Sequence, residues 1–111
     1  MSHDDKELIK QVMDGDERAF AELVRKWQRP LVNFIVKYTG NVDDAQELIQ
    51  ETFRTVYEKL PSLKEPERFS SWIYKIALNQ ARMHLRRIRN RQTETLEDQT
   101  YENNEQKDVF S

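Results

Sequence analysis

The sequence predicts an all-α chain, a small helical bundle of three main helices plus a short N-terminal one. Three observations predict it. Large apolar residues recur at spacings of three and four along most of the chain, the period of one helix face. No stretch sustains the alternation of apolar and polar residues that a strand needs. Of 111 residues only 2 are Gly and 3 are Pro, while 37% are hydrophobic and 34% charged, which suits a thin core under a heavily charged surface.

The first predicted helix runs from about Asp5 to Asp14, with Leu8, Ile9, Val12 and Met13 on one face, and stops at Gly15. The second opens at Asp16, whose short carboxylate can cap free backbone N–H groups at the positive helix end. Its stripe is Phe20, Leu23, Val24, Trp27, Leu31, Phe34, Ile35 and Tyr38, and Gly40-Asn41 ends it. Pro30 lies inside this stripe and is expected to kink or split the helix, because proline lacks the N–H and its ring crowds the preceding turn. The third helix starts near Asp43 and has the cleanest period, with Ala45, Leu48, Ile49, Thr52, Phe53, Val56, Tyr57 and Leu60 on one face. Pro61 breaks it, and the connection from Pro61 to Arg68 holds two prolines. The fourth helix is expected from about Glu67 to Asn90, anchored by Phe69, Trp72, Ile73, Ile76 and Ala77.

One domain is expected over residues 1–92, followed by an acidic linker over 93–111. The linker holds six acids against Lys107 alone, and its large apolar groups are scattered: Leu96, Tyr101, Val109 and Phe110. Such a segment buries too little to offset chain entropy, so disorder is expected there. The net charge of −2 conceals this split, since residues 1–92 carry 17 Lys/Arg against 14 Asp/Glu. Five arginines, Arg82, Arg86, Arg87, Arg89 and Arg91, fall within ten positions. A local basic run of this kind suits a nucleic-acid partner even when the overall charge is negative.

Several classes of function find no support. No cysteine is present, which excludes disulfides and thiolate zinc sites. His3 and His84 are far apart, and each is expected to be a lone exposed imidazole, so no metal and no cofactor is expected. A phosphate-binding glycine loop cannot be built from 2 glycines. The many carboxylates sit on polar helix faces or in the tail, so no catalytic residue is expected and the chain does not read as an enzyme. No apolar run approaches the ~20 residues of a membrane span, and the first residues lack a signal-peptide core. A cytoplasmic location without membrane insertion is the expectation.

Two outward-facing sets carry the functional reading. On the third helix Glu47, Gln50, Glu51 and Arg54 follow the i, i+3, i+4, i+7 rule and share one strip, which can dock another helix through polar contacts. Most strips of this kind are merely solvated. On the fourth helix Lys75, Asn79, Arg82 and Arg86 are spaced by four, three and four, again one stripe. Basic groups along a stripe are the footprint of phosphate contacts, and an amide such as Asn79 can hydrogen-bond a base edge. The negative end of a helix dipole would account for arginines near the helix end, but not for Lys75 or Asn79 at mid-helix.

The segment Asp44-Ala45-Gln46-Glu47-Leu48-Ile49-Gln50-Glu51-Thr52-Phe53 resembles the signature of bacterial sigma factors of the extracytoplasmic-function, sigma-70-like type. So do Gly15-Asp16 with Ala19-Phe20 and Leu23-Val24 before it, and Phe69-Ser70-Ser71-Trp72-Ile73-Tyr74-Lys75-Ile76-Ala77 with Asn79 after it. Gln46 and Glu47 depart from the family's Glu-Asp pair: Glu47 keeps the charge on a longer arm, while Gln46 loses one. The resemblance covers roughly residues 8–91. It implies the helical domain that binds core RNA polymerase and recognises and melts the −10 promoter element. Under it, Glu47, Gln50, Glu51 and Arg54 meet the clamp helices of the β′ subunit. Leu63, Lys64, Arg68, Phe69, Ser70 and Asn79 become candidates for the pocket that takes a flipped base of the non-template −10 strand. Lys75, Arg82 and Arg86 hold its phosphates. An anti-sigma factor is a further partner that the family allows. A full member carries a second helix-turn-helix domain for the −35 element, which these 111 residues lack, so a fragment of a longer protein is expected. A helical interaction module of the same fold without promoter binding is the alternative, and a general nucleic-acid binder unrelated to polymerase is another.

Overall fold

Backbone N–H groups at a helix start have no partner within the helix, and three side chains meet this need in turn. In the computed structural model, which describes residues 4–96, Asp4 accepts from the Glu7 N–H at 3.3 Å and opens α1 (Asp5–Met13). Asp16 accepts from the Arg18 and Ala19 N–H groups at 2.9 and 3.3 Å and opens α2 (Glu17–Thr39). Asn41 accepts from the Asp44 N–H at 3.0 Å and opens α3 (Val42–Lys59). Between α2 and α3 the chain reverses through Gly40, whose φ of 69° is a left-handed conformation that costs glycine little. Two short 3-10 turns, Leu60–Ser62 and Pro66–Arg68, then lead into α4 (Phe69–Leu96). No strand occurs among the described residues. The all-α expectation holds.

Helix α2 is the centre. It packs against α1, α3 and α4, while α3 also packs on α4 and α1 covers both 3-10 turns. The core is drawn from every helix: Leu8 and Ile9, Leu23, Leu31 and Ile35, Leu48, Ile49, Phe53 and Val56, then Phe69 and Ile73, are all buried. Fully burying side chains of this size contributes about 1.5–3 kcal/mol each. The buried Thr52 hydroxyl donates to the Leu48 carbonyl at 2.8 Å, so its polarity is satisfied within α3. An aromatic row joins α2 to α4, with Trp27 edge-on to Phe69 at 5.9 Å and to Tyr74 at 5.7 Å, and Phe34 edge-on to Tyr74 at 4.9 Å. Asp5 ties α1 to α2, accepting from the Trp27 indole at 3.2 Å and pairing with Lys26 at 2.8 Å.

Three expectations about the elements change. Pro30 does not divide α2, which is one helix over Glu17–Thr39. Pro30 is on the exposed side, where the carbonyl it leaves unpaired can meet water, and the fully buried Leu31 and Ile35 hold the helix to the core beyond it. Helix α4 continues past Asn90 to Leu96, so residues 93–96 of the expected linker are helical; residues 97–111 lie outside the described residues. Tyr57, assigned to the apolar face of α3 by its period, is 55% exposed. Its ring stands at the rim, edge-on to Phe20 at 5.0 Å.

Candidate nucleic-acid and protein interfaces

Helix α4 turns Ile73, Ala77 and Ala81 inward, each fully buried. A helical period of 3.6 then places Lys75, Asn79, Arg82 and Arg86 on the opposite side. Lys75, Asn79 and Arg86 are exposed and Arg82 is half-buried. The four form one outward stripe about 16 Å long, at 1.5 Å rise per residue. At its N-terminal end Lys64, Arg68 and Ser70 are exposed as well. Arg68 pairs through Nε with Glu65 in a contact open to solvent on both sides. Such a pair adds little stability, so the guanidinium can exchange a carboxylate for a phosphate at low cost.

Two expected members of the base pocket are engaged elsewhere. Phe69 is only 1% exposed. Its ring lies 5.9 Å from Trp27 and 5.7 Å from Trp72, so it has no free face for a base and belongs to the core. Leu63 is half-buried and packs against the core. It lines a cleft of about 270 Å³ with Ile9, Met13 and Leu60, where the connection packs on α1. The stripe and the exposed residues Lys64, Arg68 and Ser70 remain as the nucleic-acid candidates.

The strip on α3 forms as expected. Ala45, Leu48, Ile49, Phe53 and Val56 are buried on one face, and Glu47, Gln50 and Arg54 are exposed on the other, with Glu51 half-buried. Arg54 and Glu51 approach to 3.9 Å, too long and too exposed to hold either charge tightly. The strip thus offers two acids and an amide to a partner.

Sequence periodicity missed what lies between the two helices. His84 is not the exposed imidazole expected: its side chain is only 13% exposed, and its Nε2 lies 3.5 Å from Asp44 Oδ2 beside the first turn of α3 without a hydrogen bond. Gln80 is 9% exposed, and with Met83 and Arg87 it forms the α4 wall of a cleft whose α3 wall is Glu47, Leu48 and Glu51. A signal existed. Gln80 and His84 continue the core register of Ile73 and Ala77, and polar residues at core positions mark contacts that a stripe of apolar residues does not reveal. Among the described residues no group of three or more His, Cys, Asp or Glu could hold a metal ion, and no helix is long and apolar enough to cross a membrane.

The sigma-70 region 2 profile matches residues 23–91, which takes in the inner faces of α2 and α3, the strip, the connecting loop and the α4 stripe. The chain belongs to the sigma-70 region 2 family. Several relatives are named as extracytoplasmic-function (ECF) sigma factors. The RNA polymerase sigma-H factor of Pseudomonas aeruginosa is 37% identical over 81 residues, covering 73% of this chain and 42% of that protein. The ECF RNA polymerase sigma factor SigW of Bacillus subtilis is 36% identical over 74 residues, covering 67% of this chain and 40% of that one. The region 2 domain therefore spans about two fifths of the length of these relatives. A solved structure of similar fold is an engineered region 2 of sigmaE in complex with GTAAAA, determined by NMR. It matches with a TM-score of 0.69 and 34% identity, covering 77% of this chain and 90% of that one.

Proposed function

We propose that this region 2 domain binds core RNA polymerase and recognises and melts the −10 promoter element, without catalysis of its own. The observation that carries the reading is the outward stripe of Lys75, Asn79, Arg82 and Arg86 on α4, on the side away from the buried Ile73, Ala77 and Ala81. A stripe of three cations and one amide combines sequence-independent phosphate attraction with one group able to read a base edge. The similar sigmaE region 2 bound to GTAAAA supports the non-template −10 strand as the ligand. Lys64, Arg68 and Ser70 then flank the place of a base drawn out of the stack, whose unstacking costs a few kcal/mol.

On the other helix the strip of Glu47, Gln50, Glu51 and Arg54 docks on the β′ clamp helices of the polymerase. Its support is the match to the signature of ECF sigma factors and the exposure of the strip. The domain acts in the cytoplasm, where polymerase and promoter meet, and an anti-sigma factor covering these faces would silence it. A pull-down of the 111-residue chain with purified core polymerase tests the reading: retention on core at physiological salt is expected, and absence of retention with the fold intact would overturn it.

A further inference from the structure

We infer that the protein partner docks not on α3 alone but in the cleft between α3 and α4, with Met83 as the apolar anchor and Arg87 as a second charged contact. This rests on the polymerase reading above. It adds residues that the strip on α3 does not contain.

The cleft holds about 470 Å³ and is walled by Glu47, Leu48 and Glu51 on one side and by Gln80, Met83 and Arg87 on the other. Three features fit it to a partner. Met83 is 42% exposed, an unbranched apolar side chain at the edge of a polar groove, and methionine adapts its shape to an incoming side chain. Arg87 faces the same groove as Glu47 and Glu51, yet forms no ion pair with either among the described residues. Acids on one wall and an unpaired guanidinium on the other are electrostatic partners left apart. Such a groove suits a ligand that carries both signs. The cleft is also continuous with the strip, because Glu47 and Glu51 belong to both.

The occupant that matches is a helix of the polymerase with an apolar residue seated on Met83. It would carry a basic residue toward Glu47 and Glu51 and an acidic one toward Arg87. Buried apolar anchors ringed by polar contacts carry most of the energy in interfaces of this kind. A nucleic acid is a poor occupant, since its phosphates would face Glu47 and Glu51.

Affinity for core polymerase is compared among the wild type, Met83→Ala, Arg87→Ala and the double variant Glu47→Lys/Glu51→Lys. Losses of roughly tenfold are expected for Met83→Ala and severalfold for Arg87→Ala, with helical content unchanged. If the Glu47/Glu51 reversal weakens binding while Met83→Ala and Arg87→Ala do not, the partner touches α3 alone and the cleft inference fails, although the polymerase reading stands. If none of the three changes binding to core, the reading of the strip itself fails. A measurement without substitution completes the test. Met83 and Met13, 42% and 49% exposed, are oxidised in the free domain and in the complex with core, and the sulfoxides are read by mass spectrometry. Selective protection of Met83 by core polymerase is expected. A Met83 oxidised at its free-state rate in the saturated complex would overturn the inference.

Discussion

Helices α3 and α4 solve the same packing problem with different materials, and their outer faces diverge accordingly. In the 18 residues of α3 the inner face is apolar from end to end, with Ala45, Leu48, Ile49, Phe53 and Val56 buried. In α4, which spans 28 residues, large apolar anchors lie at the start, where Phe69 and Ile73 are buried. Farther along, Ala77, Gln80 and Ala81 are the buried groups, and His84 meets Asp44. The second half of α4 therefore buries small and polar residues where α3 buries large apolar ones. Outward, α3 presents acids and α4 presents cations. The buried faces fix most of the bundle, and the outer faces, opposite in charge on the two helices, can serve partners of opposite sign. The lesson is a division of labour by face, not by helix.

The largest expected effect would break both helices at once. Ile35, fully buried on α2, sits on the helix that packs against both α3 and α4. Ile35→Ala is expected to cost about 2–5 kcal/mol of stability, read from urea unfolding, and to weaken polymerase and DNA binding together. A loss well under 1 kcal/mol would show that α2 is not the common support. Next in size is the outer face of α3. Reversing Glu47 and Glu51 to Lys should lower affinity for core polymerase by at least about tenfold, or ~1.4 kcal/mol. Stability should stay within about 0.5 kcal/mol of the wild type. An equal fall in stability would mean that the acids support the fold, and the division by face would fail for α3. A third prediction concerns the outer side of α2. Pro30→Ala restores a helix N–H and should raise stability by about 2–2.6 kcal/mol, the intrinsic helix penalty of proline less its stiffening of the unfolded chain. Neither binding activity should change.

Much of this division is legible in the sequence, and the exceptions have physical causes. Helix α3 can be read almost completely, because its apolar period and Pro61 agree with one another; the capping role of Asn41 comes from the structure. The strip of Glu47, Gln50, Glu51 and Arg54 and the stripe of Lys75, Asn79, Arg82 and Arg86 follow from periodicity alone. Pro30 does not split α2, because proline acts locally, whereas Leu31 and Ile35 act through tertiary burial, which holds the helix together beyond it. Phe69 admits both readings, core anchor and base-stacking, because an aromatic residue after a loop looks the same whether its ring stacks on a base or packs on Trp27 and Trp72. For Gln80 and His84 the core register is legible, but what they and Arg87 face is not. The groups across from them lie on α3, about 30–40 positions earlier in the chain, and only the crossing of two helices brings them together.

The central claim is that α4 presents one reading group among phosphate-binding groups. It is tested most directly by fluorescence titration of short single-stranded oligonucleotides, one carrying GTAAAA and one scrambled, at several salt concentrations. Wild type, Lys75→Ala and Asn79→Ala are compared. Lys75→Ala should weaken both oligonucleotides alike and reduce the salt slope by about 0.7. Asn79→Ala should cost roughly 1–3 kcal/mol on the preferred sequence only, narrowing its advantage over the scrambled one. If both variants give the same uniform loss, Asn79 reads no base; if neither changes binding, the stripe is a solvated face and the account of α4 is wrong.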